Sequence, residues 1–404
     1  MTEPLSNAAQ SSIPEPSGTE SIEVSIVMPC LNEAETVGTC VQKAMKAFAD
    51  AGINGEVIVA DNGSTDGSIE IAEREKAVVV PVKRKGYGNA LMGGIEAARG
   101  KFVIMGDADD SYDFLVAASF VEKLRDGAEI VQGCRLPSGG GTVRKGAMPW
   151  SHRWIGNPML SMMARKMFNA PIHDIYCGMR GFTKELYKRL ELRCTGMEFA
   201  TEMIIKATLF SARFEEVPIT LWPDGRKIQV PHLRTFRDGW RTVRFFLIYS
   251  PKWLFWYPGV ALMLLGLIGY AVALPRTSIF GVNFDAHTLL VASMLFLLGF
   301  QAVAFAILTT AYAIVERFRP SSQRVDRFFR LFTLERGLVG GLGLILAGSV
   351  TIGTAVVSWW NTGFGDMDYA QTMRLVVPGT TLTILGANLF FSSFLCSMLG
   401  LDRK

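Results

Sequence analysis

Apolar residues follow two rhythms along this chain. Between Val24 and about Leu136, short β-branched runs alternate with amphipathic stretches. Val24–Met28, Glu56–Ala60, Ala77–Val82, Phe102–Met105 and Glu129–Gln132 read as strands. Ala34–Ala49, Asp66–Lys76, Tyr87–Arg99 and Leu115–Asp126 read as the helices between them. Strand and helix in turn predict a doubly wound, mostly parallel sheet. From Trp150 the pattern turns more helical, over Asn157–Phe168, Thr183–Leu190 and Glu198–Phe210. A strand at Glu215–Leu221 follows, and this domain ends near Trp222-Pro223-Asp224-Gly225.

The second rhythm begins after residue 252. Trp253–Leu274, Leu289–Val315, Leu338–Trp359 and Leu375–Leu399 are apolar blocks separated by short polar loops. Each has the roughly 20 residues a helix needs to cross a bilayer. Trp253, Trp256, Tyr257, Trp359 and Trp360 sit at block ends, as an aromatic belt does. Ahead of the first block, Arg234, Arg237, Arg241 and Arg244 fall on one helical face beside Phe236, Trp240, Val243 and Leu247. A basic stripe next to an aromatic one suits a helix lying among lipid headgroups. The middle loop carries Arg317, Arg319, Arg324, Arg327, Arg330 and Arg336, whereas the flanking loops offer Arg276 and Arg374. The positive-inside rule then places the N-terminal domain and both termini in the cytosol of a multi-pass cell (inner) membrane protein, with Arg374 snorkelling outward.

Composition agrees with this division. The chain has 404 residues, 49% of them hydrophobic, and its mean hydropathy of +0.26 is high for a soluble protein. A net charge of +4 is small for the length, and no basic surface interleaved with aromatics stands out, so no nucleic-acid partner is expected. Six cysteines without a Cys-x-x-Cys pair, beside four histidines, argue against a zinc site and for reduced thiols. The first twenty residues lack the basic start and apolar stretch of a secretory signal and read as a disordered tail. The expected division is therefore a tail at 1–22, an α/β domain at 23–230, a juxtamembrane amphipathic helix at 231–252, and a membrane domain at 253–404 with four helices, 253–274, 289–315, 338–359 and 375–399.

Chemistry concentrates where the strands end. Phe102-Val-Ile-Met-Gly-Asp107-Ala108-Asp109-Asp110 closes a strand in two carboxylates one residue apart, a spacing suited either to a divalent cation bridging to a diphosphate or to a capped, solvated turn. Pro29-Cys-Leu-Asn32-Glu33 and Asp61-Asn-Gly-Ser-Thr-Asp66 close two other strands in polar turns. In such sheets the ligand lies beyond the carboxyl ends of the strands, where Asn32, Asp61, Asp107 and Asp109 converge. Lys85-Gly86-Tyr87-Gly88 opens a helix and offers backbone N–H groups and one cation to a phosphate.

Val24–Glu33, Asp61–Asp66, Asp107-Ala108-Asp109 and Asp174-Ile-Tyr-Cys-Gly-Met-Arg-Gly-Phe182 together resemble the family-2 glycosyltransferases of GT-A fold, in the branch of dolichyl- or polyprenyl-phosphate glucose and mannose synthases. The resemblance spans roughly Val24 to Pro251. It implies a Rossmann-like α/β GT-A domain, then an interfacial helix and an all-α four-helix transmembrane domain. Its implied activity is inverting transfer of a hexose from a nucleotide-diphosphate sugar, with UDP-glucose favoured, to polyprenyl or dolichyl phosphate on the cytosolic leaflet. Pro29, Asn32, Glu33, Asp61, Lys85 and Asp107 would bind the nucleotide sugar, and Asp107 and Asp109 would hold Mg²⁺ or Mn²⁺. The acceptor phosphate is largely ionised near neutral pH, its second pKa being about 6, so it needs cations more than a base. Arg135, Arg153, Asn157, Arg226 and Lys227 are the candidate cradle, and Asp107, Asp109 and Arg135 the candidate catalytic set.

Two departures from the branch matter. Position 111 is Ser where some relatives carry Gln, and four spans exceed what many relatives have. A processive polysaccharide synthase would show Gln-x-x-Arg-Trp, but Trp150 stands three residues before Arg153-Trp154. A lipid-sugar translocator or scaffold with a nucleotide-sensing domain is the remaining alternative. The protein's expected partners are the sugar donor, the lipid acceptor and membrane lipids, with a homo-oligomer left open.

Overall fold

The computed structural model describes residues 21–226, 235–275, 278–279, 281–321 and 323–400. The tail before residue 21, Lys227, the 231–234 start of the basic helix with Arg234, Arg276, and the tail after residue 400 lie outside them. The chain forms two compact units. Met1–Met162, Pro171–Ala207 and Ala212–His232 make the first, and Met163–Ala170, Thr208–Ser211 and Leu233–Lys404 the second.

In the first unit, β1 (Val24–Cys30), α1 (Val37–Ala51), β2 (Gly55–Asp61), α2 (Ser68–Arg74), β3 (Val78–Pro81), α3 (Tyr87–Ala97) and β4 (Phe102–Met105) alternate as the sequence predicts. Val24, Ile26, Val27 and Met28 are all inaccessible to solvent, because helices cover both faces of the sheet. α1 buries Val37, Cys40, Val41, Ala44, Ala47 and Phe48 on one stripe and stops at Gly52, whose φ of 61° is left-handed.

The second half departs from simple alternation. After α4 (Ala117–Arg125), β5 (Ile130–Cys134) and β6 (Thr142–Val143), a helical segment from Trp150 runs through a π-turn at His152–Gly156 into α5 (Asn157–Phe168). Then come β7 (Arg180–Thr183), α6 (Lys184–Leu190), α7 (Glu198–Leu209), β8 (Phe214–Pro218) and β9 (Thr220–Leu221). The seven-stranded sheet has the order β3-β2-β1-β4-β7-β5-β8, with β7 antiparallel to both neighbours and the other pairs parallel. Arg180-Gly-Phe-Thr does not read as a strand, since it opens on a charge and contains glycine. Its pairing with Met105 and Gln132 is set by the neighbouring strands. The single strand expected over Glu215–Leu221 is broken into β8 and β9, and β9 pairs with β6 in a separate two-stranded sheet.

α7 carries an ion pair inside the core. Glu202 and Lys206, with side chains 0% and 1% exposed, meet at 3.0 Å. Glu202 accepts the N–H groups of Arg193 and Cys194, and Lys206 donates to the carbonyls of Leu190 and Glu191. The loop they fix lies against the start of α3. A Cβ on Gly86 or Gly88 would come within 2.5 Å of the Thr195 or Cys194 carbonyl oxygen, so both positions need glycine.

The second unit holds α8 (Thr235–Tyr249), α9 (Tyr257–Ala273), the hairpin of β10 (Ser278–Ile279) and β11 (Val282–Asn283), α10 (Ala286–Val315), α11 (Gln323–Leu331), α12 (Leu334–Asn361) and α13 (Tyr369–Gly400). Four helical stretches, Lys252–Ala273, Ala286–Val315, Leu334–Asn361 and Tyr369–Leu399, are long and apolar enough to cross a membrane. They present Ile268, Leu346 and Val350 outward at 60–67% exposure, a surface suited to lipid. α9 meets α10 where Gly259 and Gly299 approach. α12 meets α13 at Gly341–Gly386 and Gly348–Gly379, where any Cβ would strike the opposing backbone. Tyr270, Ser293 and Thr381 bond to one another between these helices. Arg374, expected to reach outward, instead pairs with Asp285 at 2.6 Å, so its charge is met locally. α11 lies in what reads as a plain basic loop.

Breaking the buried pair in α7 leaves a charge unpaired. Lys206→Met lowers stability by about 3 kcal/mol, read as a lower denaturation midpoint of the detergent-solubilised chain, and the double substitution with Glu202→Gln recovers part of the loss.

Candidate active site

The turns after β1 and β2 are laced together. Pro29 and Cys30 end β1 in register with Ala60 and Asp61. Asn32, at φ 60°, donates its N–H to Ser64 Oγ at 2.9 Å and accepts Thr65 N–H at 2.9 Å. Glu33 and Ala34 N–H groups bond Ser68 Oγ and Asp66. Asp61 is 4% exposed, and its carboxylate accepts Gly63 N–H at 2.8 Å and Ser64 N–H at 3.0 Å. The residue expected to bind the nucleotide sugar thus also shapes its own turn.

Donors at and beside the Lys85–Gly88 turn bond the protein itself. Gly86 N–H goes to Asn62 Oδ1 at 2.8 Å, Asn89 N–H to the Thr195 carbonyl at 3.2 Å, and Lys85 Nζ to the Asn62 carbonyl. Asn62, which the sequence left without a role, also donates to the Val82 and Arg84 carbonyls. Asn62 thereby links the ends of β2 and β3 beside the turn expected to meet a phosphate.

At the end of β4 the three aspartates separate in function. Asp107 Oδ1 accepts the Tyr87 hydroxyl at 2.9 Å. Its Oδ2 faces Gly178, where a Cβ would sit 2.8 Å away, so glycine there leaves that oxygen room. Asp109 Oδ1 accepts Ser111 N–H at 3.0 Å and Ser111 Oγ at 2.6 Å, while Oδ2 is 4.0 Å from Arg226. Asp110 turns away at φ 59° and pairs with Lys43 at 2.8 Å. Ser111 therefore aims Asp109, a task the sequence did not disclose.

The chain returns to this turn from residue 222. Trp222 N–H bonds the Ser111 carbonyl and Gly225 N–H the Asp109 carbonyl, both at 2.9 Å. Arg226 then forks onto Asp224 and reaches Glu33 at 3.3 Å. Burial, then the charge of Asp109, pushes Asp107 up to about 6 against the Tyr87 hydrogen bond and the charges of Arg135 and Arg180. Burial likewise pushes Glu33 up to about 7, with Arg226 opposing it and Asp109 and Asp224 adding to it. Burial is the largest cause at both carboxyls, and the neighbouring carboxylates add to it.

Two oxygen donors from Asp107 and Asp109 suit a hard cation that takes its remaining ligands from substrate phosphate and water. Among the described residues no group of three or more His, Cys, Asp and Glu forms a cage of its own. Two carboxylates side by side and the room beside Asp107 Oδ2 at Gly178 are what such a cation requires, so the residues fit it.

Of the other candidates, Arg135 is 7% exposed and forks onto the fully buried Asp174 at 2.7 and 3.0 Å. Its NH1 leans to Tyr112 Oη at 3.5 Å. This guanidinium organises the segment after it more than it presents a free face to solvent. Arg153, in the π-turn, stacks 5.1 Å over the Trp154 ring with its Nε buried and unpartnered. Asn157 Nδ2 is 3.3 Å from Met148 Sδ. Among the described residues, neither bonds the acidic turn. Arg180 is buried at 0% exposure, donates to the Ala200 and Cys177 carbonyls and leaves its Nε unpartnered. Burial holds it below the usual arginine range.

A paired-carboxylate turn at the carboxyl edge of this sheet, in a chain with four membrane-length helices, places the protein among the membrane glycosyltransferases. Residues 25–191 match glycosyl transferase family 2, and residues 307–400 match the glycosyltransferase family 2 C-terminal transmembrane region. The chain belongs to that family. It is similar to the low-salt glycan biosynthesis hexosyltransferase Agl6 of Haloferax volcanii, 35% identical over 382 residues covering 93% of this chain and 89% of that one. A dolichyl-phosphate hexose transferase of the same organism is 30% identical over 198 residues, 49% of this chain and 82% of its own. Among solved structures, glucosyl-3-phosphoglycerate synthase from Mycobacterium tuberculosis, in complex with Mn²⁺, UDP and phosphoglyceric acid, overlays with a TM-score of 0.42. It is 20% identical and covers 56% of this chain and 76% of that one.

Asp109→Asn cuts turnover by about 100-fold or more, the scale of losing one preorganised charge contact to a transition state. Asp110→Asn removes a partly exposed ion pair with Lys43, leaves kcat within about twofold and costs under ~1 kcal/mol. Steady-state kinetics of the two variants side by side check the division of labour.

Proposed function

We propose that this family-2 transferase moves a hexose from a nucleoside-diphosphate sugar, with UDP-glucose the favoured donor, onto polyprenyl or dolichyl phosphate at the cytosolic face of the membrane. The observation that carries the reading is the pair Asp107 and Asp109 at the carboxyl edge of the sheet, with Gly178 leaving Asp107 Oδ2 room for a ligand. Asp107 and Asp109 hold Mg²⁺ or Mn²⁺, which when bound offsets the charge gathering on the leaving nucleoside diphosphate. Asn32, Glu33 and Asp61 shape the nucleoside side of the crevice, with Lys85 bracing it through Asn62.

In the transfer, an acceptor phosphate oxygen attacks C1 of the sugar. The bond from C1 to the diphosphate breaks with its electron pair going to the nucleoside diphosphate, and C1 inverts. No base is required, because the phosphate is already ionised. Arg153 and Asn157 supply the acceptor contacts, with Arg226 closing the donor side. Arg135 acts as a positioning residue through Asp174. Membrane spans, the arginines of the loop between the second and third spans, and the relative that acts on dolichyl phosphate support a lipid acceptor met from the cytosol.

Full-length protein in nanodiscs, given a panel of nucleotide sugars, polyprenyl phosphate and Mg²⁺, yields a lipid-linked hexose from one donor by mass spectrometry. A water-soluble polymer as product would replace this reading with a processive synthase. Nucleotide binding without lipid-linked product from any donor would overturn it.

A further inference from the structure

Asp107 and Asp109 share the turn after β4, and each gives one carboxylate oxygen to a hydroxyl of the protein. Tyr87 Oη donates to Asp107 Oδ1 at 2.9 Å. Ser111 Oγ donates to Asp109 Oδ1 at 2.6 Å, beside the Ser111 N–H at 3.0 Å. Among the described residues, neither Oδ2 accepts a hydrogen bond. Asp107 Oδ2 faces the space that glycine leaves at position 178, and Asp109 Oδ2 has the Arg226 guanidinium 4.0 Å away. Both carboxylates are therefore engaged on the same side and open on the other.

The two hydroxyls come from fixed places. Tyr87 opens α3 between Gly86 and Gly88, the glycines pressed against the Thr195 and Cys194 carbonyls, and Gly86 N–H is bonded to Asn62. Ser111 is held by its own N–H on Asp109 and by Trp222 N–H on its carbonyl. Turning either carboxylate to present both oxygens breaks a charge-assisted hydrogen bond, roughly twice as strong as a neutral one. A carboxylate so held is a different ligand from a free one. Binding a cation through both oxygens places it between them, in competition with the donor already seated on Oδ1. Ca²⁺, with long and variable bonds, fills roughly six to eight positions and takes carboxylates through one oxygen or both. Mg²⁺ demands an octahedral shell of short bonds and completes it with phosphate and water, and Mn²⁺ takes octahedral oxygen sites too.

We propose that the hydroxyls of Tyr87 and Ser111 determine which cation this turn accepts, holding Asp107 and Asp109 to one free oxygen each and so favouring Mg²⁺ and Mn²⁺ over Ca²⁺. The inference rests on the proposed role of the two aspartates as cation ligands. Tyr87 and Ser111 are positioning residues that act through the carboxylates. Their side chains are brought to the turn from opposite directions in sequence, Tyr87 from twenty residues before Asp107 and Ser111 from two after Asp109.

The test titrates the full chain in detergent micelles with Mn²⁺, in the presence of UDP and, separately, of GDP. Free Mn²⁺ is read from its electron paramagnetic resonance signal, with matched samples of nucleotide alone subtracted. Ca²⁺ is then added until it displaces Mn²⁺, which gives the ratio of the two affinities without any turnover. Tyr87→Phe and Ser111→Ala each narrow the preference for Mn²⁺ over Ca²⁺ by several-fold, and their combination narrows it further. Ser111→Thr, which keeps the hydroxyl, holds the wild-type ratio. An unchanged ratio in both single variants, with Mn²⁺ binding still abolished by Asp109→Asn, would overturn this inference and leave the aspartates as cation ligands. Mn²⁺ binding that survives Asp109→Asn, or the absence of any protein-dependent Mn²⁺ binding, would overturn both.

Discussion

One guanidinium and one carboxylate, sealed from water at the end of β5, fix the geometry around the acidic turn. Asp174 is fully buried and accepts the backbone N–H of Arg135, two of its guanidinium nitrogens, and Tyr176 N–H. Two unpaired charges at this depth would be prohibitive, so each holds the other in place. The segment from 174 to 178 is thereby pinned under the sheet edge. Gln132 ties it down through the Asp174 and Cys177 carbonyls, and Tyr112 takes Gly178 N–H at 2.8 Å. Gly178 in turn sets how close the backbone comes to Asp107. Burial opposes the charge on Arg135, and Asp174 together with Tyr112 and Cys177 outweighs it, holding the guanidinium well above its ordinary range. The position of one catalytic-edge oxygen thus descends from a pair that itself lies out of contact with solvent.

The two units are held by different physics. In the α/β unit, parallel strands sandwiched by helices draw on apolar burial, with buried polar groups nearly all paired. In the membrane unit lipid is as apolar as the side chains, and close backbone approach at Gly259–Gly299, Gly341–Gly386 and Gly348–Gly379 takes over. Tyr270, Ser293 and Thr381, together with Arg374 and Asp285, add directional contacts between helices.

Strands buried on both faces write themselves as apolar runs, which is why β1, β2 and β4 were legible within two residues at either end. The four spans were legible for the same reason, though α10, α12 and α13 begin earlier than their apolar blocks because their first turns are polar. β7 was hidden, because nothing local marks Arg180–Thr183 as a strand and only its neighbours make it one. The acidic turn was visible as spacing, but the partners of its oxygens were not. Tyr87 lies twenty residues away and Arg226 arrives from the far end of the domain. Side-chain pairs such as Arg135–Asp174 and Lys43–Asp110 join residues whose separation in sequence carries no periodic signal.

The return of the chain at Trp222–Arg226 has a consequence for synthesis. β1 to β4 can pair as they leave the ribosome, but β5 has no place in the sheet until β7 has been made. The backbone of the Asp109–Ser111 turn gains its last two hydrogen bonds, from Trp222 and Gly225, later still. Those residues are translated shortly before the basic helix and the first span. A chain stalled before residue 222 therefore carries an unfinished crevice.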